Sequence, residues 1–252
     1  MKHFVVYTAL FGDYDTLPDI PSEYLNYCDF ICFTNNRSIN VNNWTILFVD
    51  SDLSPILLNR MYKILPHVFL PNYFSSLYID SNIILKGNPI KLYDRYLTKY
   101  DLLFPRHFAR NCAYDEYFEC VRLGKINIYK GLKQMIFYKR KGLPRNFGLS
   151  ENNIILRNHY KPNIKSIMEF WWDQFLKFPY RDQLSLPYVI YSFNYKYYFI
   201  DETSRLENDF FVYSFHKNEN NITIFTKIMN KIFSLFTSIF IIPFCKIILK
   251  FS

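Results

Sequence analysis

The chain has 252 residues, of which 50% are hydrophobic and 20% aromatic, and only six are glycine. That composition is typical of a globular domain with a full core, and it excludes an intrinsically disordered chain. The formal net charge of +8 indicates an anionic partner, and nucleic acid, an anionic membrane surface and a phosphate-bearing substrate all fit it. Because the basic residues are not interleaved with a known nucleic-acid-binding motif, we expect no nucleic-acid partner.

The cysteines and the N-terminus both indicate a cytoplasmic protein. The apolar run Phe4–Leu10 is soon followed by Gly12 and Asp13, without a small-residue cleavage site, so we expect no secretory signal. No two of the five cysteines form a Cys-x-x-Cys pair, which argues against a zinc ribbon or a thioredoxin-like site and predicts reduced, mostly buried thiols. The cysteines are Cys28, Cys32, Cys112, Cys120 and Cys245.

Apolar runs of strand length alternate with amphipathic runs over residues 1–217, and this alternation predicts one α/β domain followed by a distinct tail, residues 218–252. Strands are predicted at His3–Leu10, Tyr27–Thr34, Trp44–Val49, Leu77–Ile79, Asp101–Pro105, Ile154–Arg157 and Tyr197–Ile200. Helices are predicted at Asp52–Leu65 (capped by Asp52 or Ser54), Pro89–Tyr100, Tyr114–Leu123, Asn163–Phe178 and from Arg181 onward.

The triplet Asp80-Ser81-Asn82 directly follows the buried strand that ends at Ile79. A carboxylate and an amide in that place are costly to bury unless something satisfies them, and a hard cation carrying a diphosphate would do so. Oxygen ligands suit Mg²⁺ or Mn²⁺. A simple turn between two strands explains the triplet equally well, and the triplet alone leaves both interpretations open.

Three further features bear on function. The turn Phe11-Gly12-Asp13 follows the first strand, where α/β folds usually bind nucleotides, although an ordinary turn fits as well. Arg60 and Lys63 share one face of a predicted helix, which could equally be a solvated face. Trp171 and Trp172 lie at helical spacing with apolar residues, which favours a place in the core over a sugar-binding platform.

Within the tail, the segment Ile222–Ser252 combines basic and apolar residues. Its longest uncharged run, Ile232–Cys245, is shorter than the roughly 18 to 20 residues that a membrane span needs, and Pro243 is expected to interrupt the helix. These features predict an anchor that lies in the plane of a membrane surface; the alternative is a C-terminal helix packed on the domain. From residue 217 onward, one glutamate, Glu219, accompanies five lysines, Lys217, Lys227, Lys231, Lys246 and Lys250.

The order of these motifs resembles that of GT-A glycosyltransferases. The detailed likeness is to bacterial transferases of the glycosyltransferase 8 type and to the domain once called DUF616, shared with plant cell-wall glycosyltransferases. It covers about residues 3–217. The motifs that carry it are Tyr7-Thr-Ala-Leu-Phe-Gly-Asp-Tyr14, Arg60-Met-Tyr-Lys63-x-x-Pro66-His67, Leu77-Tyr-Ile-Asp80-Ser-Asn82-Ile83, Glu151-Asn152-Asn153-Ile154 and Arg181-Asp182-Gln183-Leu184.

This resemblance implies a GT-A (Rossmann-like) α/β domain with a mixed central sheet flanked by helices. It also implies a metal-assisted transferase that moves a sugar from a nucleotide-sugar donor to a glycan or lipid-linked acceptor in surface polysaccharide synthesis. The tail lies outside the resemblance, and its predicted membrane anchor places the protein at the inner face of the plasma membrane. Asn82 stands where a second aspartate is usual, which would weaken metal binding and leaves open a non-catalytic carbohydrate-binding relative. Whether the anomeric configuration is retained or inverted stays open.

The resemblance also assigns roles to single residues. The donor would contact Tyr7, Thr8, Phe11, Gly12, Asp13, Arg60, Lys63, Asp80 and Ser81. The metal ligands would be Asp80, Asn82 and His216. Asp182, Gln183 and Glu151 would lie beside the transferred sugar as catalytic residues. His107 and Arg110 would contact the acceptor.

Overall fold

The structure is a computed structural model, and it describes residues 2–12, 15–178, 181–214 and 224–252. Within these ranges, seven strands form one mixed sheet with the order β3-β2-β1-β4-β7-β6-β8. Strands β1 to β4 run parallel to one another, β7 runs antiparallel to both of its neighbours, and β8 runs parallel to β6. The strands are β1 Lys2–Leu10, β2 Asp29–Thr34, β3 Thr45–Phe48, β4 Tyr73–Ile79, β6 Leu102–Pro105, β7 Ile154–Arg157 and β8 Tyr198–Ile200.

Strand β1 shows how the sequence builds this sheet. Its side chains alternate between two core clusters, with Phe4, Val6 and Leu10 on one face and Tyr7 and Ala9 on the other. A strand that is buried on both faces reads as a continuous apolar run, and this one lies in the middle of the sheet. The expected α/β domain with a mixed central sheet is therefore confirmed.

Helices cover the sheet and form a third apolar cluster beyond it. They are α1 Pro55–Ile64, α2 Pro66–Phe69, α3 Ile90–Leu92, α4 Ala113–Arg122, α5 Ile128–Arg140, α6 Pro162–Lys177 and α7 Asp182–Ser192. Helices α1, α6 and α7 pack on the face that holds Tyr7, while α4, α5 and α7 enclose the third cluster. As predicted, Ser54 caps α1, since its Oγ accepts the backbone N–H of Leu57 at 3.4 Å.

Most predicted elements form within a few residues of their expected bounds, but one predicted helix differs from the structure. The helix predicted at Pro89–Tyr100 is only the short α3, followed by a π-helical turn at Tyr93–Leu97. The apolar run after Asn82 is a strand, β5 Ile83–Leu85, which pairs with β9 Phe211–Tyr213 in a separate small sheet. This pairing joins segments more than a hundred residues apart, which local sequence patterns do not reveal.

The tail is helical throughout its described length, residues 224–252. It comprises α8 Ile224–Phe236, a π-helical turn Thr237–Ile241 and α9 Ile242–Phe251. The expected interruption at Pro243 is wrong, because this proline lies in the first turn of α9, directly after the π turn, where its missing N–H is tolerated. Residues Ile228–Phe251 are long and apolar enough to cross a membrane by length and composition, and 17% of their most apolar window is buried.

Candidate functional site

Several chain segments converge at one edge of the sheet. Asp80 follows the carboxyl end of β4, His107 follows β6, and the segment 151–153 leads into the antiparallel β7 at the same edge. Backbone hydrogen bonds hold these segments together: the N–H of Asp80 donates to the carbonyl of Asn153 at 2.8 Å, and that of Glu151 to Pro105 at 2.9 Å. The carboxyl ends of strands in open α/β sheets are where ligands usually bind.

A cleft of about 470 Å³ opens at this edge, within the size range of small-molecule sites. It joins residues from four of the predicted sequence blocks, which are far apart along the chain. The predicted site residues that line it are Arg60, Lys63, Asp80, His107, Arg110, Glu151, Asp182 and Gln183.

Lys63 lies at the base of the cleft with only 2% of its side chain exposed. Its ammonium bridges two carboxylates, lying 3.1 Å from Oδ2 of Asp182 and 3.4 Å from Oδ1 of Asp80. Arg60, one helical turn earlier in α1, places its Nε 3.3 Å from Oδ1 of Asp182. The solvated-face interpretation of Arg60 and Lys63 is therefore wrong, because both cations are held by a buried carboxylate.

Asp182 is the first residue of α7, where a carboxylate also complements the helix dipole. Trp171 fixes this end of the helix, because its buried Nε1–H donates to the carbonyl of Asp182 at 3.1 Å; its expected place in the core is confirmed. Burial alone would raise the pKa of the Asp182 carboxyl, but the nearby charges of Arg60, Lys63 and Arg181 hold that pKa well below its ordinary value. Asp182 is thus a permanent anion at neutral pH.

A second charge cluster centres on Glu116, a buried residue of α4. Its Oε2 accepts the Nε–H of Arg110 at 2.7 Å, and its Oε1 accepts the thiol of Cys120 at 3.3 Å and lies 3.7 Å from Arg181. The predicted acceptor residue Arg110 is therefore oriented by Glu116, which the sequence reasoning did not single out.

His107 is a neutral imidazole in this arrangement. Its Nδ1 accepts the backbone N–H groups of Ala109 at 3.2 Å and Arg110 at 3.1 Å, so the proton is on Nε2, which lies 3.6 Å from Glu116. Burial lowers the pKa of His107 to about 4, although the Glu116 carboxylate acts in the opposite direction.

We therefore expect ¹⁵N NMR of the imidazole to show the Nε2–H tautomer of His107 at pH 7, with protonation only near pH 4. A midpoint for His107 close to the ordinary 6.5 would show that the buried geometry does not persist in solution. Because the folded pKa lies below the unfolded one, neutral His107 stabilises the fold above about pH 6.5, and this contribution is lost as the pH falls from 6.5 towards 4.

Glu151 and Gln183 form the wall between these clusters. The Oε1 of Glu151 accepts the Nε–H of Arg205 at 2.6 Å, and burial raises the pKa of this carboxyl despite the opposing charge of Arg205. The amide of Gln183 donates to the carbonyl of Ser150 at 3.0 Å and accepts from Arg181 at 3.1 Å. The charged groups that line the cleft are thus held in place by ion pairs and hydrogen bonds to one another.

Six predicted site residues lie outside the lining of the cleft. Tyr7 is fully buried and donates to the backbone carbonyl of Lys63 at 2.9 Å, and Thr8 is equally buried. The Oγ of Ser81 donates to Asp15 at 2.9 Å, and Nδ2 of Asn82 donates to the carbonyl of Ser214 at 3.1 Å. The other two are Phe11, which packs in the core, and Gly12, whose φ of 74° favours glycine. Asp13 and His216 lie outside the described residues.

The residues that the sequence reasoning missed are Glu116 and Arg205. Glu116 did carry a signal, since it falls at helical spacing with Ala113, Tyr117 and Cys120, which are all buried. Arg205 follows the last strand of the large sheet in a segment without helical or strand periodicity, so its pairing with Glu151 had no local signal.

Of the three predicted metal ligands, Asp80 and Asn82 lie within the described residues. In residues 2–12, 15–178, 181–214 and 224–252, no group of three or more His, Cys, Asp or Glu side chains could hold a metal ion. Asp80 nevertheless offers a carboxylate that is 33% exposed towards the cleft. Mg²⁺ commonly binds through one or two carboxylates plus substrate phosphates, so Asp80 fits a metal that arrives with a phosphorylated ligand.

Comparison with known proteins gives a family and distant structural likenesses. The family model described as TOD1/MUCI70, glycosyltransferase-like domain, matches residues 34–216. The solved structures that resemble the chain include mouse xyloside xylosyltransferase 1 in its apo form (TM-score 0.45, 9% identity, 79% of this chain and 85% of that chain). They also include the apo structure of the bifunctional glycosyltransferase WbbM (TM-score 0.44, 12% identity, 78% of this chain and 38% of that chain). No curated protein matches the sequence.

Proposed function

The chain belongs to the TOD1/MUCI70 glycosyltransferase-like family, and on that premise we propose that it transfers a sugar from a nucleotide-sugar donor to a glycan or lipid-linked acceptor. The observation that carries this proposal is the convergence of Arg60, Lys63, Asp80 and Asp182 in one cleft. The narrower likeness to glycosyltransferase 8-type and DUF616 proteins is part of the same proposal.

The cations at the base of the cleft suit a leaving nucleoside diphosphate. Developing negative charge on a leaving group is stabilised most by donors that are already fixed in place, and Arg60 and Lys63 are fixed by the Asp182 carboxylate. Asp182 acts as the residue that positions both cations. Only 5% of the Asp182 side chain is exposed, which favours this positioning role over extensive direct contact with the sugar.

A divalent cation, Mg²⁺ or Mn²⁺, belongs to the proposal, with Asp80 as its ligand in the cleft. The family resemblance adds Asn82, which lies outside the cleft lining, and His216, which lies outside the described residues. When bound, such an ion would neutralise charge on the donor's phosphates. Asp80 is oriented for this role by its neighbours, because its Oδ1 accepts the Tyr78 hydroxyl at 2.8 Å and lies 3.4 Å from the Lys63 ammonium.

The remaining polar residues that line the cleft suit the sugar and the acceptor. The Gln183 amide and the Glu151 carboxylate line the cleft close to Asp182, where polar groups can contact sugar hydroxyls and the reacting centre. His107 and Arg110 lie next to them, held by Glu116, and are placed to contact the acceptor. Neutral His107, whose Nδ1 accepts two backbone N–H groups, can donate a hydrogen bond from Nε2 without introducing a charge.

The tail supports a membrane-bound setting. It packs along the domain at several points: Arg122 donates to Ser234 at 2.8 Å, and Lys139 donates to the carbonyls of Leu249 and Lys250, the latter at 3.1 Å. A helix held along its length on the domain fits an in-plane anchor better than a span, and its outer face is apolar and exposed. We place the protein at the cytoplasmic face of the plasma membrane, acting in synthesis of a surface polysaccharide such as a capsule, O-antigen or lipooligosaccharide.

Donor hydrolysis tests the proposed activity. We expect the protein, incubated with Mn²⁺ and a panel of nucleotide sugars, to release nucleoside diphosphate from one donor. In Asp80→Ala the release should fall about 100-fold, because the metal ion that Asp80 would hold no longer stabilises the negative charge on the leaving group. Exposed Glu23→Ala is the matched control and should retain full release.

Absence of release from every donor, together with no Mn²⁺-dependent thermal shift on adding nucleotides, would contradict the enzymatic proposal. That result would favour the alternative, in which the protein is a non-catalytic carbohydrate-binding relative. The Asn82→Asp variant, which restores a second acidic residue, then distinguishes an enzyme with a weak metal site from a non-catalytic relative. Near-zero release in that variant too would exclude an enzyme weakened only at its metal site.

A further inference from the structure

A second cavity, of about 610 Å³, lies between α4, the end of α5 and the last helix of the tail, α9. Helix α4 separates it from the cleft described above, since Glu116 and Glu119 line the cleft while Tyr114 and Phe118 line this cavity. The two cavities are thus about one helix diameter apart, on the order of 10 Å. The proposed transfer reaction does not use this second cavity.

The charge of the cavity is strongly positive. Its charged lining residues in the described part of the chain are Asp115, Lys139, Arg145, Lys246 and Lys250. Arg145 is paired with Asp115 at 2.6 Å, so the three ammonium groups carry the excess charge. A concave site with three lysines and one neutralised acid is complementary to a phosphate group.

The surface next to this cavity is apolar. On α9, Cys245 and Leu249 face the domain and are buried, and Lys246 and Lys250 follow them around the helix. Beyond the lysines, Phe244 and Ile247 point outward with 62% and 58% of their surface exposed. The lysines therefore stand at the boundary between the domain and an exposed apolar strip, as on helices that lie in a membrane interface.

We propose that this cavity binds the phosphate headgroup of an anionic phospholipid while Phe244, Ile247 and the rest of the exposed strip enter the acyl region. The inference rests on the membrane contact of the tail put forward above. A nucleic acid offers phosphates but nothing for the apolar strip to contact, whereas an anionic lipid satisfies both. The bound lipid brings the membrane surface to α4, one wall of the cleft, where a lipid-linked acceptor would reach the donor.

The test uses the full chain and two kinds of probe. The first is short-chain phosphatidylglycerol or phosphatidylcholine below its micellar concentration. The second is phosphatidylcholine vesicles with or without phosphatidylglycerol. We expect Lys246→Gln to bind the soluble lipid about fivefold more weakly, the effect of one lysine near an anionic headgroup. Lys231→Gln is the matched control, because Lys231 is an exposed tail lysine outside the cavity. It should bind the soluble lipid as the unmodified chain does.

Equal losses in Lys246→Gln and Lys231→Gln, or equal affinity for phosphatidylglycerol and phosphatidylcholine, would overturn the headgroup site. Phe244→Ser separates this result from the tail proposal: it should weaken binding to vesicles of either composition, and unchanged vesicle binding would refute the membrane contact itself. Donor hydrolysis is measured on all variants and should stay unchanged, so a failure of the proposed transferase activity is seen independently.

Discussion

Replacing Lys63 with methionine should destabilise the protein by about 3 kcal/mol and abolish donor hydrolysis. Removing one partner of a buried ion pair leaves an uncompensated buried charge, which typically costs about 3 to 5 kcal/mol. Here the Asp182 carboxylate, with 5% of its side chain exposed, would keep Arg60 and Arg181 as nearby cations, which places the effect at the lower end. Urea unfolding with linear extrapolation measures the change.

The matched control is Lys91→Met, which removes the same charge from an exposed position of α3. It should change the free energy of unfolding by less than about 0.5 kcal/mol. A double variant, Lys63→Met with Asp182→Asn, should regain part of the stability lost by Lys63→Met, because no charge is then left unpaired between them. It should not regain donor hydrolysis. Strictly additive losses would show that the two groups do not interact as the structure places them.

Replacing Asp182 with asparagine should reduce donor hydrolysis about 100-fold and weaken the acid sensitivity of the fold. Arg60 and Lys63 lose the carboxylate that positions both, and misplacement by about 1 Å can cost that much in rate. The stability effect follows from the depressed pKa. Ionised Asp182 stabilises the fold above its ordinary pKa of 3.8, and this contribution is lost as the pH falls below that value towards the folded pKa.

The measurement is the free energy of unfolding between about pH 5 and pH 2, where a carboxylate with a depressed pKa loses its contribution. The curve of Asp182→Asn should be flatter than that of the unmodified chain over this range. Asp94→Asn, at an exposed position, controls for removal of a carboxylate and should leave the slope unchanged. A slope for Asp182→Asn as steep as that of the unmodified chain would mean that this carboxyl is not held ionised by its cationic neighbours.

Local patterns were sufficient to predict most strands and the residues at their ends. The buried run before Asp80 and the helix carrying Arg60 and Lys63 have clear periodicities, so their presence could be read from the sequence. That both cations contact Asp182 could not be read in the same way, because α7 begins 119 residues after Lys63. Only the order of motifs, through the family resemblance, indicated that these blocks meet.

Three features were not predictable from local patterns. Tyr7 is buried in the core because both faces of β1 are covered, and alternation along a strand does not tell which of its residues border a ligand. Glu116 becomes the centre of a charge cluster only because Arg110 and Arg181 approach it from separate segments. In the tail, the π-helical turn before Pro243 keeps the helix continuous where the sequence indicated a break.

The location of the bound nucleotide tests the central claim most directly. We would determine a crystal structure of the protein with a nucleoside diphosphate and Mn²⁺. We expect to find the phosphates in the cleft, within hydrogen-bonding distance of Arg60 or Lys63, and the metal ion on Asp80. A nucleotide bound away from this cleft, for example among Lys139, Lys246 and Lys250, would contradict the claim.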